Sequence, residues 1–156
     1  MRSRGEAVLY LGAAAVAFVV VVVTVVWTIA ARERVPPRVR YSRALLCGGF
    51  AVGTVTHLEN VLRHGLVPAP DQPLGFNLFW SALAIVDPLV VLLLVFRPRA
   101  GLVAAAIIMA ADLSINVAAM YGTGPSLAAL WPLAFQTVFA LFLVVAAPRC
   151  WRASTR

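Results

Sequence analysis

His57, Asp87 and Asp112 are the residues of this chain best suited to proton transfer. A histidine changes charge near neutral pH, so it can take or give a proton under ordinary conditions. A carboxyl group placed with it supplies the other half of an acid–base pair. Glu59 is a fourth candidate for this work, and Asn60, Trp80, Asn116, Trp131 and Gln136 are candidates to hold a substrate. Spacing groups some of them. Gly53, His57, Asn60 and His64 follow one another at intervals of four, three and four, which puts them on one stripe of a helix. Asp112 and Asn116 are four apart and share a face. Glu59 lies about 200° round the helix from His57 and shares its face with Arg63 instead.

Each of these residues also has a structural explanation. Glu59 and Arg63 read first as an ion pair at a membrane interface, with Glu59 as a catalytic acid the second choice. His64 fits the headgroup level, and ligation of haem by His57 and His64 is disfavoured because both project from one helix. Asp87 precedes Pro88, whose ring and missing N–H normally break a helix, so a structural and a chemical role stand side by side. Gln136 and Ser114 suit hydrogen bonds between helices. Trp80 and Trp131 suit either an aromatic belt at the membrane boundary or a stacking surface for a ligand.

The elements that position these residues follow from composition. Of 156 residues, 62% are hydrophobic and 12% charged, against about 45–50% and 25% in soluble domains. A soluble core of this size cannot hide so much apolar surface, which excludes a secreted disulfide scaffold, a nucleic-acid-binding module and an ordinary soluble enzyme. The chain reads as an all-α integral membrane protein, a single domain with no internal repeat. A spanning helix needs about 20 mostly apolar residues, and five stretches qualify: 7–31, 42–62, 76–96, 101–121 and 126–147. The first is too long for the apolar region of a signal peptide, which runs about 7–15 residues. Its valine run, 19–23, has no strongly polar face and suits a lipid-facing outer helix.

Charge then sets the expected orientation. The net charge is +7, and all 13 basic residues are arginine, which fits a GC-rich bacterial genome. With five spans, Arg32, Arg34, Arg38, Arg40, Arg43, Arg97, Arg99, Arg149, Arg152 and Arg156 fall on one side, ten against the three of Arg2, Arg4 and Arg63. Positive residues stay cytoplasmic, so the N-terminus is expected outside and the C-terminus inside, in a multi-pass protein of the cytoplasmic membrane. In that frame His57, Asn60, Asp87, Asp112, Asn116 and Gln136 come from four helices yet share the middle and outer depth of the bilayer. Ionisable groups at such depths usually face a bundle interior or a wet cavity. Cys47 and Cys150 have no metal-site or disulfide spacing, and no metal or cofactor is implied.

The stretch Phe50-Ala-Val-Gly-Thr-Val-Thr-His57-Leu58 resembles the second helix of the emopamil-binding (EXPERA) family of sterol isomerases and lipid-binding relatives. Pro88-Leu89, Phe96 with Arg97, Leu102 and Tyr121 resemble the family's next hairpin, and the likeness extends over residues 50–148. It implies a five-helix fold and a role for His57 at a sterol-like site. The family's glutamate one turn beyond that histidine is Val61 here, with Asn60 beside it on the same face. Its glutamate early in the third helix has no counterpart in 77–82. Only His57 carries over; Asp87 and Asp112 are proposed replacements by depth alone.

Three functions compete at this point. The first is an isomerase or cyclase that protonates an alkene of an apolar, isoprenoid-like substrate and removes a proton elsewhere. Such chemistry needs an acid, a base, aromatic walls and little water, types supplied by Asp112 or Asp87, His57, Trp80 and Trp131. The second is a lipid-binding protein that uses the same cavity without turnover. The third is a proton-coupled transporter, the weakest because many transporters are built from paired repeats. The expected partners are a hydrophobic small molecule or lipid and the membrane, without nucleic acid, and a homodimer is compatible with the sequence.

Overall fold

The computed structural model describes residues 4–32, 35–123 and 127–154, with side chains over 16–32, 35–122 and 130–154. The described residues form five α-helices and no strand: α1 (Arg4–Arg32), α2 (Pro37–His64), α3 (Leu74–Phe96), α4 (Pro98–Thr123) and α5 (Leu127–Ala153). In hydrocarbon every backbone N–H and C=O must be satisfied within the protein, and a helix does this segment by segment. That requirement overrides the weak helix preference of the valines in α1. Among the described residues, four helices are long and apolar enough to cross a membrane: Pro37–His64, Leu74–Phe96, Pro98–Gly122 and Leu130–Ala153. In α1 the apolar stretch with described side chains is Val16–Arg32. These features are those of a multi-pass membrane protein.

Prolines set the boundaries, in places where the apolar pattern alone misplaces them. The sequence expectation starts the second helix at residue 42, whereas α2 starts at Pro37. Proline suits the first helical position because its missing N–H would have no partner there. Pro36 is extended (φ −56°, ψ 146°), and its carbonyl accepts from the amides of Val39 (2.9 Å) and Arg40 (3.1 Å). Arg38, Arg40 and Arg43, expected in a connector, therefore ride on the first turns of α2. Arg43 is buried, and its Nη2 donates to the carbonyls of Leu94 (3.3 Å) and Val95 (3.1 Å). Those carbonyls close α3, where the last turn has no partners of its own and attracts positive charge. Arg40 lies over the ring of Trp27 at 5.5 Å, and Arg99 over that of Trp151 at 5.4 Å. The last helix also outruns its expected end at 147, passing Pro148 to reach Ala153.

The ends of α2 and α3 place the hairpins. Gly65 closes α2 with φ 76°, a value that side chains resist, and its amide bonds to the Val61 carbonyl at 2.9 Å. Arg97 alone separates α3 from α4, so the two must run antiparallel in close contact. Gly101 permits that contact, because a Cβ there would strike the backbone of Leu93 and Leu94. Gly101→Val is accordingly expected to destabilise the detergent-solubilised protein by about 1–3 kcal/mol or more, since backbone cannot step aside as a side chain can. Gly75→Val, where a Cβ meets nothing within 4 Å, is the control in the same thermal-unfolding measurement.

α2 is the central element, packed against α1, α3 and α5, while α4 closes the ring between α3 and α5. The core holds Leu46, Cys47, Phe50, Val90, Leu94, Leu102, Met109, Leu143 and Cys150 among others. Ile85, Leu92, Ile107, Val138 and Val144 point outward, as a lipid-facing surface requires. α3 runs unbroken through Pro88, although proline removes one helical hydrogen bond and frees the carbonyl four residues before it.

Candidate functional site

Between α2, α3, α4 and α5 lies a cavity of about 510 Å³, within the range of small-molecule sites. α2 contributes Gly49, Phe50, Val52, Gly53, Thr56 and His57, which recur on one side of the helix. α3 contributes Asp87, α4 contributes Ile108, Met109 and Asp112, and α5 contributes Pro132, Phe135, Gln136 and Phe139. The lower wall is aromatic: the rings of Phe50 and Phe139 meet edge-on at 5.6 Å and 73°. Gly49 makes room for this wall, since a Cβ there would fall on the ring of Phe139. Val52, Thr56, Pro132 and Phe135 are exposed, so the cavity opens on the flank of the bundle between α2 and α5. On a helix that crosses a membrane, that flank faces acyl chains.

The two buried carboxyls of the cavity have different surroundings. Asp112, 6% exposed, is held by a closed network across three helices. Trp80 Nε1 donates to Asn116 Oδ1 at 3.1 Å. Asn116 Nδ2 donates to Asp112 Oδ1 at 2.8 Å and to Gln136 Oε1 at 3.0 Å. Gln136 Nε2 donates to Asp112 Oδ2 at 2.8 Å. An indole N–H can only donate, so it fixes the carbonyl end of Asn116 toward Trp80 and both amides toward Asp112. Both oxygens of Asp112 therefore act as acceptors. Asp87 is 4% exposed, and among the described residues it has no hydrogen-bond partner. Its Oδ2 occupies the space where a side chain on Gly53 would begin. His57, on the same wall, likewise has no hydrogen bond to any described residue. Buried polar groups are nearly always paired, so an unpaired one calls for a chemical explanation.

The structure thus brings His57, Asp87, Asp112 and Gln136 to one cavity, with Asn116 and Trp80 behind Asp112. It separates the remaining candidates from them. Asn60 is exposed and lies outside the cavity, although it was grouped with His57 on one stripe. Asn60 stays on the side of α2 that carries Gly49, Gly53 and His57, but it lies almost a turn beyond His57, past the stretch that lines the cavity. Glu59 is half-exposed and ion-paired with Arg63 Nη2, the first of the two readings its spacing allowed. Trp131 is 69% exposed and packs edge-on against Phe135 at 5.2 Å, without lining the cavity itself. The cavity's aromatic side chains are phenylalanines, where the sequence pointed to the tryptophans. Phe135 and Phe139, four apart on α5 and opposite Gly49 and Gly53, were the available signal.

The loop between α2 and α3 is built around a residue that the sequence left without a role. Asn77 is fully buried; its Oδ1 accepts from the Ala69 amide at 2.8 Å, and its Nδ2 donates to the Ala69 carbonyl at 2.8 Å. Ser81 Oγ donates to the Leu66 carbonyl at 3.0 Å, and Gln72 Nε2 to the Ala119 carbonyl at 3.3 Å. These bonds pin the loop to the ends of α3 and α4 and so fix the ends on which Trp80 and Asn116 sit. Cys47 and Cys150 are buried free thiols. Among the described residues no group of three or more His, Cys, Asp and Glu is placed to hold a metal ion. The chain matches no protein-family model, no curated protein and no solved structure.

Proposed function

We propose that this protein is a membrane-embedded acid–base isomerase or cyclase acting on a hydrophobic, isoprenoid-like substrate. The observation that carries this reading is Asp87, a buried carboxyl with no hydrogen-bond partner among the described residues, sharing a phenyl-walled cavity with His57, which likewise has none among them. Asp87 in its protonated form transfers its proton to an alkene carbon, and the positive charge falls on the neighbouring carbon. The faces of Phe50, Phe135 and Phe139 suit such a cation, because an aromatic ring carries negative charge on its face. His57 then removes a proton from an adjacent carbon, which gives the shifted double bond. Attack by a second alkene before that step gives a ring. Between turnovers the imidazolium releases its proton to water and Asp87 takes one up from water, so the cycle consumes no proton overall and each product carries one from the solvent. Asp112 accepts from two amides and serves as a fixed negative group, while Asp87 takes the role of acid that either aspartate could fill by sequence.

The stretch 50–58, with its resemblance to the emopamil-binding family, supports the same chemistry through His57 alone. The test is isotopic. Membranes containing the protein, incubated in D₂O with linear prenyl alcohols and prenyl hydrocarbons, are expected to put one deuterium into each product molecule. Retention of these compounds by the protein without deuterium uptake would replace this reading with that of a lipid-binding protein.

The proposal includes the cytoplasmic membrane, an outer N-terminus and a cytoplasmic C-terminus, on the strength of the ten-to-three division of arginines. In intact cells, a membrane-impermeant maleimide is expected to label Asp71→Cys and to miss Arg38→Cys, both at exposed positions. The reverse pattern would invert the orientation.

A further inference from the structure

The network around Asp112 leaves a defined hydrogen-bonding edge on the cavity wall. Both N–H groups of Asn116 are used, on Asp112 and Gln136, and its oxygen accepts from Trp80. Asp112 and Gln136 line the cavity, whereas Asn116 and Trp80 do not. An amide nitrogen carries two N–H groups; Gln136 gives one to Asp112 Oδ2 at 2.8 Å and keeps one. Each carboxylate oxygen has about two acceptor positions, and each Asp112 oxygen accepts a single bond. Among the described residues the wall therefore offers one donor, the second N–H of Gln136, beside a spare acceptor position on each oxygen of Asp112, held rigid from behind by Trp80.

We infer that the Asp112–Gln136 edge is a subsite for a hydroxyl group, so that the ligand is an apolar molecule with one alcohol head. The inference rests on the proposed function only in taking the cavity as a ligand site. A hydroxyl has one O–H and two lone pairs; it donates to Asp112 and accepts from Gln136 at once. A carbonyl head accepts from Gln136 but turns its lone pairs toward a carboxylate. An ammonium head donates to Asp112 but sets its charge against the N–H of Gln136, and it must shed far more water to enter an apolar bundle. A hydrocarbon leaves both wall groups without partners. The rest of the ligand meets Val52, Ile108, Met109, Phe135 and Phe139. The subsite also separates two tasks: the hydrogen-bonded Asp112 and Gln136 hold the ligand, and Asp87 and His57 act on it.

The test is binding of tritiated farnesol to the protein in lipid nanodiscs, competed by unlabelled farnesol, farnesal, farnesylamine and farnesene. Farnesol is expected to compete at least ten-fold better than each of the other three. Gln136→Leu is expected to bring the four within about two-fold of one another, while Ser114→Ala, which alters an exposed hydroxyl bonded to its own helix at Ala110, keeps the preference. The wild-type comparison decides the matter even where a variant fails to fold. Equal or better competition by farnesal, farnesylamine or farnesene overturns the subsite, as does a preference that survives Gln136→Leu. Absence of saturable binding by any probe overturns the subsite and the cavity reading together. Deuterium uptake without an alcohol preference removes the subsite alone. An alcohol preference without deuterium uptake upholds the subsite and removes only the catalysis.

Discussion

Asp87→Asn is expected to lower turnover about 10²-fold or more, the lower end of what a positioned general acid contributes, while ligand binding stays within a few-fold of wild type. The substitution keeps shape and removes the proton that the mechanism transfers. Asp87 has no hydrogen bond to any described residue, so the change breaks no network, and Gly53 already leaves space around Oδ2. A loss of rate in this variant therefore reports on chemistry. Deuterium uptake from D₂O and prenyl-ligand binding, measured on the same nanodisc preparation, separate the two effects. Uptake at the wild-type rate would remove Asp87 from the reaction, and with it the carbocation mechanism.

The contrast between Asp87 and Asp112 marks what the sequence could not reveal. Both are aspartates at similar depth in apolar helices, and periodicity places both in the bundle. The difference lies in Gln136 and Trp80, which come from other helices and reach Asp112 directly or through Asn116. Four-residue spacing linked Asp112 to Asn116, but pairings between helices depend on rotation about each axis, which the apolar pattern hardly constrains when nearly every face is apolar. Helix number and approximate spans were legible because a membrane core leaves the backbone little choice. The helix ends were less so. Pro36-Pro37 reads as a break, yet Pro37 opens α2; the last span is expected to end at 147, yet α5 runs on through Pro148 to Ala153. Proline excludes one hydrogen bond, and local packing decides whether the helix ends there. The arginines behave similarly: Arg43 counts as a topological signal in the sequence, but in the fold it closes the open end of α3.

Combining Asp87→Asn with His57→Gln is expected to slow turnover little beyond the slower single variant, instead of multiplying two losses to about 10⁴-fold. Groups that act as one unit are strongly non-additive, because removing either disables the step that needs both. Here the unit is a pair of coupled proton transfers: Asp87 gives one proton, His57 takes another, and both exchange with water before the next turnover. Without His57 the cation is left with the carboxylate that Asp87 has just become, which returns the substrate by retaking its proton, and with Asp112, whose oxygens are held by the amides of Asn116 and Gln136. Without Asp87 no cation forms for His57 to quench. Glutamine approximates the size of histidine and retains hydrogen bonding, so His57→Gln is expected to lose about 10²-fold in rate while still binding ligand. Losses that multiply would assign the two residues to separate steps. A His57→Gln variant with wild-type deuterium uptake would place the base elsewhere, and His57 would then be a wall of the cavity with no part in the proton cycle.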